Sequence, residues 1–309
     1  MPEAEIPSKQ AERARSFVVL DIGGTNVRCG GARSGSVLGE VRQLSTDIFS
    51  VGDPVKTLEK TIRAFAADQS LQDFDVVVGL PATFDRDMDA VLKINNIPAF
   101  HGLKLRSILR ERFSERIVLE HDIVLQLIGE WFAGSARGSA SVLGVYSGTG
   151  IGGGFLLHGE PVRTNTSGVE LGHIPVRGEG RRCVCGLFDC VEAYASGRQL
   201  LLWSKQYAVP IQRLFVDAQT VPALAERLKE FLQDQATAIA IAITLIDPGL
   251  VVLGGGITQM AGYQIEKLIE MVRQRLQLPE PAHSVKFVQS ALGRSAAIYG
   301  GMYLISKCQ

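Results

Sequence analysis

No apolar run in this chain approaches the roughly 18 residues that a membrane span requires, so no segment is read as transmembrane. Net charge is also missing. Thirty-two Lys and Arg face thirty-two Asp and Glu, which favours neither a broad nucleic-acid surface nor a strongly anionic partner, so no nucleic acid and no membrane is expected as a partner. The opening stretch, MPEAEIPSKQAERARS, has no apolar core and is not a secretory signal; it reads as a loose tail over residues 1–16. The sequence GxxxxGK followed by Ser or Thr does not occur, which excludes a P-loop. Cysteine is scarce and odd in number, five residues, so no disulfide framework is expected and a reducing, cytoplasmic setting fits. What remains is an ordinary globular composition in a chain of 309 residues, long enough for two lobes with large cores.

Glycine is the residue that is placed rather than scattered. Residues 16–41, SFVVLDIGGTNVRCGGARSGSVLGEV, read as strand, tight turn, strand, turn, strand. A helix follows, capped by Asp53, opened by Pro54 and striped by Val55, Leu58, Ile62 and Phe65. DVVVGLPA (75–82) reads as a buried strand, 103–113 as a helix, RIVLEHD as a short strand, and a further helix begins near Val124. Residues 141–162, SVLGVYSGTGIGGGFLLHGEPV, then repeat the layout of 16–41, a pattern that suggests an internal duplication. A long helix over 221–246, the buried strand LVVLGGG (250–256) and a final helix with small residues on one face complete the chain.

Glycine turns at strand ends expose backbone N–H groups and admit phosphate oxygens. Any one such loop is equally a plain turn; three after apolar strands favour a nucleotide. GTGIGG (148–153) matches GxGxxG, and Glu170 stands about where a dinucleotide fold keeps an acid. That fingerprint must open a helix, however, and here it runs into a strand, which argues against NAD. In DIGGTN the acid Asp21 sits directly at the strand end. It suits Mg²⁺ held through water, or else caps the turn.

Three of the five cysteines fall within CVCGLFDC (183–190). With His173 upstream they make a three-thiolate, one-imidazole set, His173, Cys183, Cys185 and Cys190, that fills a tetrahedral Zn²⁺ shell and leaves no open position, so the metal would be structural. The other reading is free or redox-active thiols. Cys29 and Cys308 stand apart. Zinc would also fix Glu170 and Glu192, two carboxylates able to accept from sugar hydroxyls, and would leave His173 one N–H to donate. Without zinc these are two solvated glutamates.

LDIGGTN, SGTGIGGG and VVLGGG resemble the phosphate-1, phosphate-2 and adenosine loops of the actin-like ATPase and sugar kinase superfamily, whose two ribonuclease H-like α/β lobes clamp ATP. ELGH…CVCGLFDCVEAYASG resembles the signature of the ROK family of sugar kinases and sugar-responsive repressors, with Asp189 in place of the usual glycine. The likeness runs from about residue 17 to the end. It implies ATP contacts at Asp21, Gly23, Gly24, Thr25, Asn26, Gly148, Thr149, Gly150, Gly254, Gly255 and Gly256. It further implies Asp122 as general base, with sugar contacts at Gly79, Asn96 (Asn95 competing), His121, Asp122, Glu170, His173 and Glu192. His121 and Val124 replace the asparagines usual beside that aspartate. The expected lobes are 17–122, completed by 294–309, and 123–293, with a homodimer allowed by the family. Only twenty residues precede Asp21, short of the DNA-binding domain that ROK repressors carry, which favours a kinase.

Among ROK kinases HDIVLQL, GVELGHIPV, LFVDAQ and RSAAIYGG most resemble the D-allose kinases. The expectation is an ATP- and Mg²⁺-dependent kinase acting on the 6-hydroxyl of a hexose, D-allose first, with glucose, mannose, fructose and N-acetylmannosamine open. A weakly catalytic sugar sensor and a zinc- and NAD-dependent dehydrogenase are the rivals.

Overall fold

The computed structural model describes residues 16–113, 116–163 and 168–307. The tail expected over 1–16 lies outside them apart from Ser16, as does Cys308. In chain order the elements are β1 (Ser16–Ile22), β2 (Asn26–Arg33), β3 (Ser36–Val37), β4 (Arg42–Ser45), α1 (Pro54–Asp68), β5 (Asp75–Leu80), β6 (Ala82–Phe84), β7 (Val91–Ile94), α2 (Leu105–Arg112) and β8 (Ile117–His121). Then come α3 (Asp122–Ala133), β9 (Ser141–Ser147), β10 (Ile151–Leu157), β11 (Glu160–Pro161), α4 (Val191–Tyr194), α5 (Gly197–Gln206), α6 (Leu214–Asp217), α7 (Pro222–Ile246), β12 (Leu250–Gly254), α8 (Ile265–Arg273), β13 (Lys286–Gln289) and α9 (Ala296–Lys307).

Two sheets share one connectivity. The first runs β3-β2-β1-β5-β8, with β4 also on β2, and the second runs β11-β10-β9-β12-β13. In each, an antiparallel hairpin is extended by two parallel strands on the other side of its first strand. The repeat seen in residues 16–41 and 141–162 is therefore a repeat of topology. Strands β1 and β5 are buried at every position, which is why SFVVLDI and DVVVGL read as nearly continuous apolar runs. GTGIGG spans the β9–β10 turn and enters a strand, not a helix.

Local chemistry places the helices. Asp53 caps α1 by accepting from the N–H groups of Val55 (2.8 Å) and Lys56 (3.3 Å), with Pro54 in the first turn. The long α7 stops at Asp247, which takes a left-handed φ of 49° just before Pro248. Helix α3 begins at Asp122 rather than near Val124, because β8 hands the chain over without a loop. The β6–β7 hairpin, α8 and β13 were not expected from the residues. β13 is short and half-exposed and takes its order from pairing with β12, which no local pattern announces.

Helices α3 and α9 form the joint between the sheets. One face of the pair packs on the first sheet through Leu125, Ala297, Ile298 and Ile305 against Phe17, Val19 and Val77. Val124, Leu127 and Ile128 pack on the second sheet against Val142, Leu156 and Val252. The two helices cross in backbone contact: a Cβ on Gly129 would collide with the carbonyl oxygen of Ala296, and one on Gly300 with that of Leu125. Alanine gains about 1 kcal/mol of helix propensity over glycine, but overpacking against rigid backbone costs more. Gly129→Ala is therefore expected to lose roughly 2 kcal/mol net, read as a lower urea midpoint with an unchanged m-value. Among the described residues no helix is long and apolar enough to cross a membrane.

Candidate functional site

The floor of the site lies where β1, β5 and β8 end. Asp21, the penultimate residue of β1, is 2% exposed and is held by two donors, Arg28 Nη1 at 3.0 Å and Gln126 Nε2 at 3.1 Å, both on Oδ2. Oδ1 has only a long contact with Gln126, 3.4 Å, and so keeps acceptor capacity suited to a metal-bound water. Burial raises the Asp21 carboxyl above its ordinary range, and Arg28 partly offsets it. Arg28 is the cross-strand partner of Asp21 in the β1–β2 hairpin.

Gly79, near the end of β5, lets these groups approach: a Cβ there would lie 3.3 Å from the Asp122 Cα and 3.6 Å from Asp21 Oδ1. Asp122 itself is the first residue of α3 and half-buried. Loss of solvent, then the negative charge of Asp21, raise its carboxyl to about 7, against opposing contributions from the Ile123 backbone N–H and Arg28. His121 is half-buried beside it, edge-on to Phe84 with centroids 5.2 Å apart, and burial holds its ring below the ordinary imidazole range. Val124, by contrast, is 6% exposed and packs into the second sheet's core, where a Cβ on Gly154 would lie 3.2 Å from it. The second departure beside Asp122 is thus a packing position.

Two glycine loops face each other over this floor. Thr25 of the first and Thr149 of the second have hydroxyl oxygens 2.6 Å apart. A Cβ on Gly24 would come within 3.1 Å of Thr149 Cβ and 3.2 Å of Asn96 Nδ2. Gly23 lies in the turn, its N–H donating to the carbonyl of Asn26, whose side chain accepts from Gln43 at 3.0 Å. Gly148 and Gly150 close the second turn, the Gly148 N–H donating to the Gly150 carbonyl at 2.8 Å. The third loop, Gly254 to Gly256, abuts the end of β9. Gly255 has φ 93° against the Ser147 backbone, and the Ile257 N–H donates to the Ser147 carbonyl at 3.0 Å.

The cysteine segment brings its four donors together. The ligand atoms of His173, Cys183, Cys185 and Cys190 all lie within 4.8 Å of one another. Cys185 and Cys190 sulfurs are 3.8 Å apart, and Cys183 Sγ is 3.9 Å from His173 Nδ1. A tetrahedron with metal–sulfur bonds of about 2.3 Å has edges of about 3.8 Å, so three thiols and an imidazole here fit zinc by number, type and spacing. Burial, then the neighbouring Cys183 sulfur, push the Cys190 thiol up to about 12, a cost that a bound divalent cation would remove. His173 Nε2 points away from the sulfurs, 4.0 Å from Glu170 Oε2. Glu192 reaches back beneath the second glycine loop, its Oε2 accepting from the Ile151 N–H at 3.3 Å.

Asp189 stands in a left-handed turn, φ 61°, which favours glycine but tolerates aspartate. Its carboxylate accepts from the Gly180 and Arg181 N–H groups, each at 3.0 Å, and from the Tyr194 hydroxyl. Tyr194 is stacked between Arg177 and Arg181, with guanidinium carbons 4.7 and 4.3 Å from the ring centre. Arg177 in turn makes a two-point pair with Asp234 on α7. The residue that departs from the family pattern is thus built into the loop's own support.

Several residues at the site went unmarked in the sequence. Arg28 and Gln126 hold Asp21. Arg163 makes a two-point pair with Glu120, a fully buried acid one residue before His121, whose Oε1 also accepts the His121 N–H. An acid inside the apolar strand IVLEH was the available signal. Arg198 donates to Asn96 Oδ1 at 2.8 Å. Of the two adjacent asparagines it is Asn96 that faces the glycine loops.

A family model described as the ROK family matches residues 17–308. The chain is 28% identical over 311 residues to the glucokinase of Thermotoga maritima, covering 94% of this chain and 97% of that one. It is 29% identical over 309 residues to the N-acetyl-D-glucosamine kinase of Erwinia tasmaniensis, covering 93% and 98%. The crystal structure of the ROK hexokinase from Thermus thermophilus superposes with a TM-score of 0.77 at 29% identity, over 95% of this chain and all of that one.

Proposed function

The chain belongs to the ROK family, and from that premise we propose that it is an ATP-dependent, Mg²⁺-requiring hexose kinase that phosphorylates the 6-hydroxyl of its sugar with Asp122 as general base. The observation that carries the reading is the placement of Asp122: at the lobe joint, beside Gly79 and Asp21, with a carboxyl raised to about 7. A base poised near the working pH can take a hydroxyl proton as the bond to phosphorus forms. ATP, when bound, supplies the phosphoryl group, and the loops at 23–26, 148–150 and 254–256 are the residues that would hold it. Asp21 would orient Mg²⁺ through water. Zn²⁺ on His173, Cys183, Cys185 and Cys190 would hold Glu170, His173 and Glu192 for sugar hydroxyls, with Gly79, Asn96 and His121 completing the pocket. Lobes 17–122, completed by 294–309, and 123–293 would close about the β8–α3 junction and exclude water.

The relatives named above are a glucokinase and an N-acetylglucosamine kinase, so glucose and 2-acetamido hexoses stand ahead of D-allose, which rests on short stretches of likeness alone. A weakly catalytic sugar sensor of the same fold is the second reading. It rests on His121, since Val124 is a packing residue.

The product identifies the reaction: ³¹P NMR of a reaction with Mg-ATP should show a hexose 6-phosphate, whereas phosphate on another hydroxyl would overturn the regiochemistry. The pH profile follows from the raised carboxyl. Asp122 acts only when deprotonated, so kcat/KM should fall about tenfold per pH unit below about 7 and level off above it. A profile flat down to pH 5 would contradict Asp122 as the base.

A further inference from the structure

We infer that Arg198 is a positioning residue that couples sugar binding to nucleotide binding, an inference that rests on the kinase reading above. Arg198 lies in the first turn of α5, where the helix dipole disfavours a cation. What holds it there is a set of contacts to three different parts of the site. Its backbone N–H donates to the Thr149 carbonyl at 3.2 Å, beside the Gly197 N–H donating to the Gly148 carbonyl at 2.9 Å, so the residue is fastened to the second glycine loop. Its Nη2 donates to Asn96 Oδ1 at 2.8 Å, on the far side of the cleft. Its Nη1 stands 3.7 Å from Glu192 Oε1 and is buried with no hydrogen-bond partner of its own.

The consequences are specific. A guanidinium only donates, so it fixes the Asn96 amide with its oxygen toward Arg198 and its Nδ2 toward Gly24. One side chain therefore orients a donor on one lobe and faces a carboxylate on the other, while its backbone N–H is bonded to the second glycine loop from behind. A second strand of the same connection lies nearby: Lys93, on the β6–β7 hairpin that carries the chain to Asn96, donates to the Cys185 carbonyl at 3.2 Å. A shift of the 148–150 loop on nucleotide binding would be carried by Arg198 to Asn96 and Glu192, and a sugar that engages those two would act back on the loop. Such coupling is reciprocal by linkage.

The test is the binding of AMP-PNP, which is not hydrolysed, measured by calorimetry with and without the hexose that the wild-type enzyme turns over best. In the wild type the hexose should tighten AMP-PNP binding, within the range of about 5- to 150-fold typical of coupled sites, and AMP-PNP should tighten the hexose by the same factor. In Arg198→Met both factors should fall close to one, with the affinity for AMP-PNP alone nearly unchanged. Arg198→Lys keeps the charge but has no planar fork to serve two acceptors. It should lose most of the coupling as well, and serves if the Met variant does not fold. A folded variant that keeps the wild-type factor would overturn the role of Arg198 while leaving the kinase reading intact. A wild type that turns over no hexose would remove both.

Discussion

Asp122→Asn is expected to abolish most turnover while sparing binding. Removing a positioned general base costs about 10²–10⁴-fold in kcat, and because asparagine keeps the shape, the affinities for nucleotide and hexose should change little. The same substitution should stabilise the protein at alkaline pH. A carboxyl raised from 3.8 to about 7 binds its proton more tightly folded than unfolded. Stability is then lost as pH rises from about 4 through 7, and the whole penalty is present above 7. Asparagine carries no such penalty. For a half-buried group the gain at pH 8 should be on the order of 2 kcal/mol, vanishing near pH 4. A slower and more stable variant is what strain stored at a working site looks like. Near-normal kcat in Asp122→Asn would place the base elsewhere. A variant that is inactive but not more stable at pH 8 would mean that Asp122 is not held near 7.

The second large effect is expected at the metal loop. Cys185→Ala leaves three of four ligands, and a metal that contributes on the order of 10 kcal/mol to small zinc peptides should be lost or held weakly. Elemental analysis should find one zinc per wild-type chain and almost none in the variant, with the hexose KM raised about 10- to 100-fold. The loop should not simply unfold. The Asp189 turn, the stacked Tyr194 and the Arg177–Asp234 pair remain, so the damage should centre on residues 183–190 and on the aim of His173, Glu170 and Glu192. ATP affinity, set by the glycine loops, should be spared. One zinc per chain retained in Cys185→Ala would contradict the ligand set.

How much of this could be read beforehand depended on how local each feature is. The cysteine cluster is a matter of spacing along one segment, and its four ligand atoms do converge. The duplicated sheets showed in the recurrence of hairpin patterns, because alternation and turn glycines are local. Asp21 with Arg28 was within reach, as the hairpin register sets those two opposite each other, but that register is fixed only once the turn length is known. Arg198 with Asn96 was out of reach: they are 102 residues apart and meet only through the tertiary fold. Glu120 with Arg163 is similar, although a charge inside an apolar strand announces that some partner must exist. Val124 stands where the resemblance has an asparagine, and only the pitch of α3 shows that it turns into the second core.

Kinase activity with Asp122 as its base is tested most directly by coupled ADP release with Mg-ATP across glucose, N-acetylglucosamine, allose, mannose, fructose and N-acetylmannosamine, with Asp122→Asn as the control. Strong turnover on at least one of these hexoses, absent in the variant, is expected. Folded, zinc-loaded protein that releases no ADP with any of them, or releases it equally from Asp122→Asn, would contradict it.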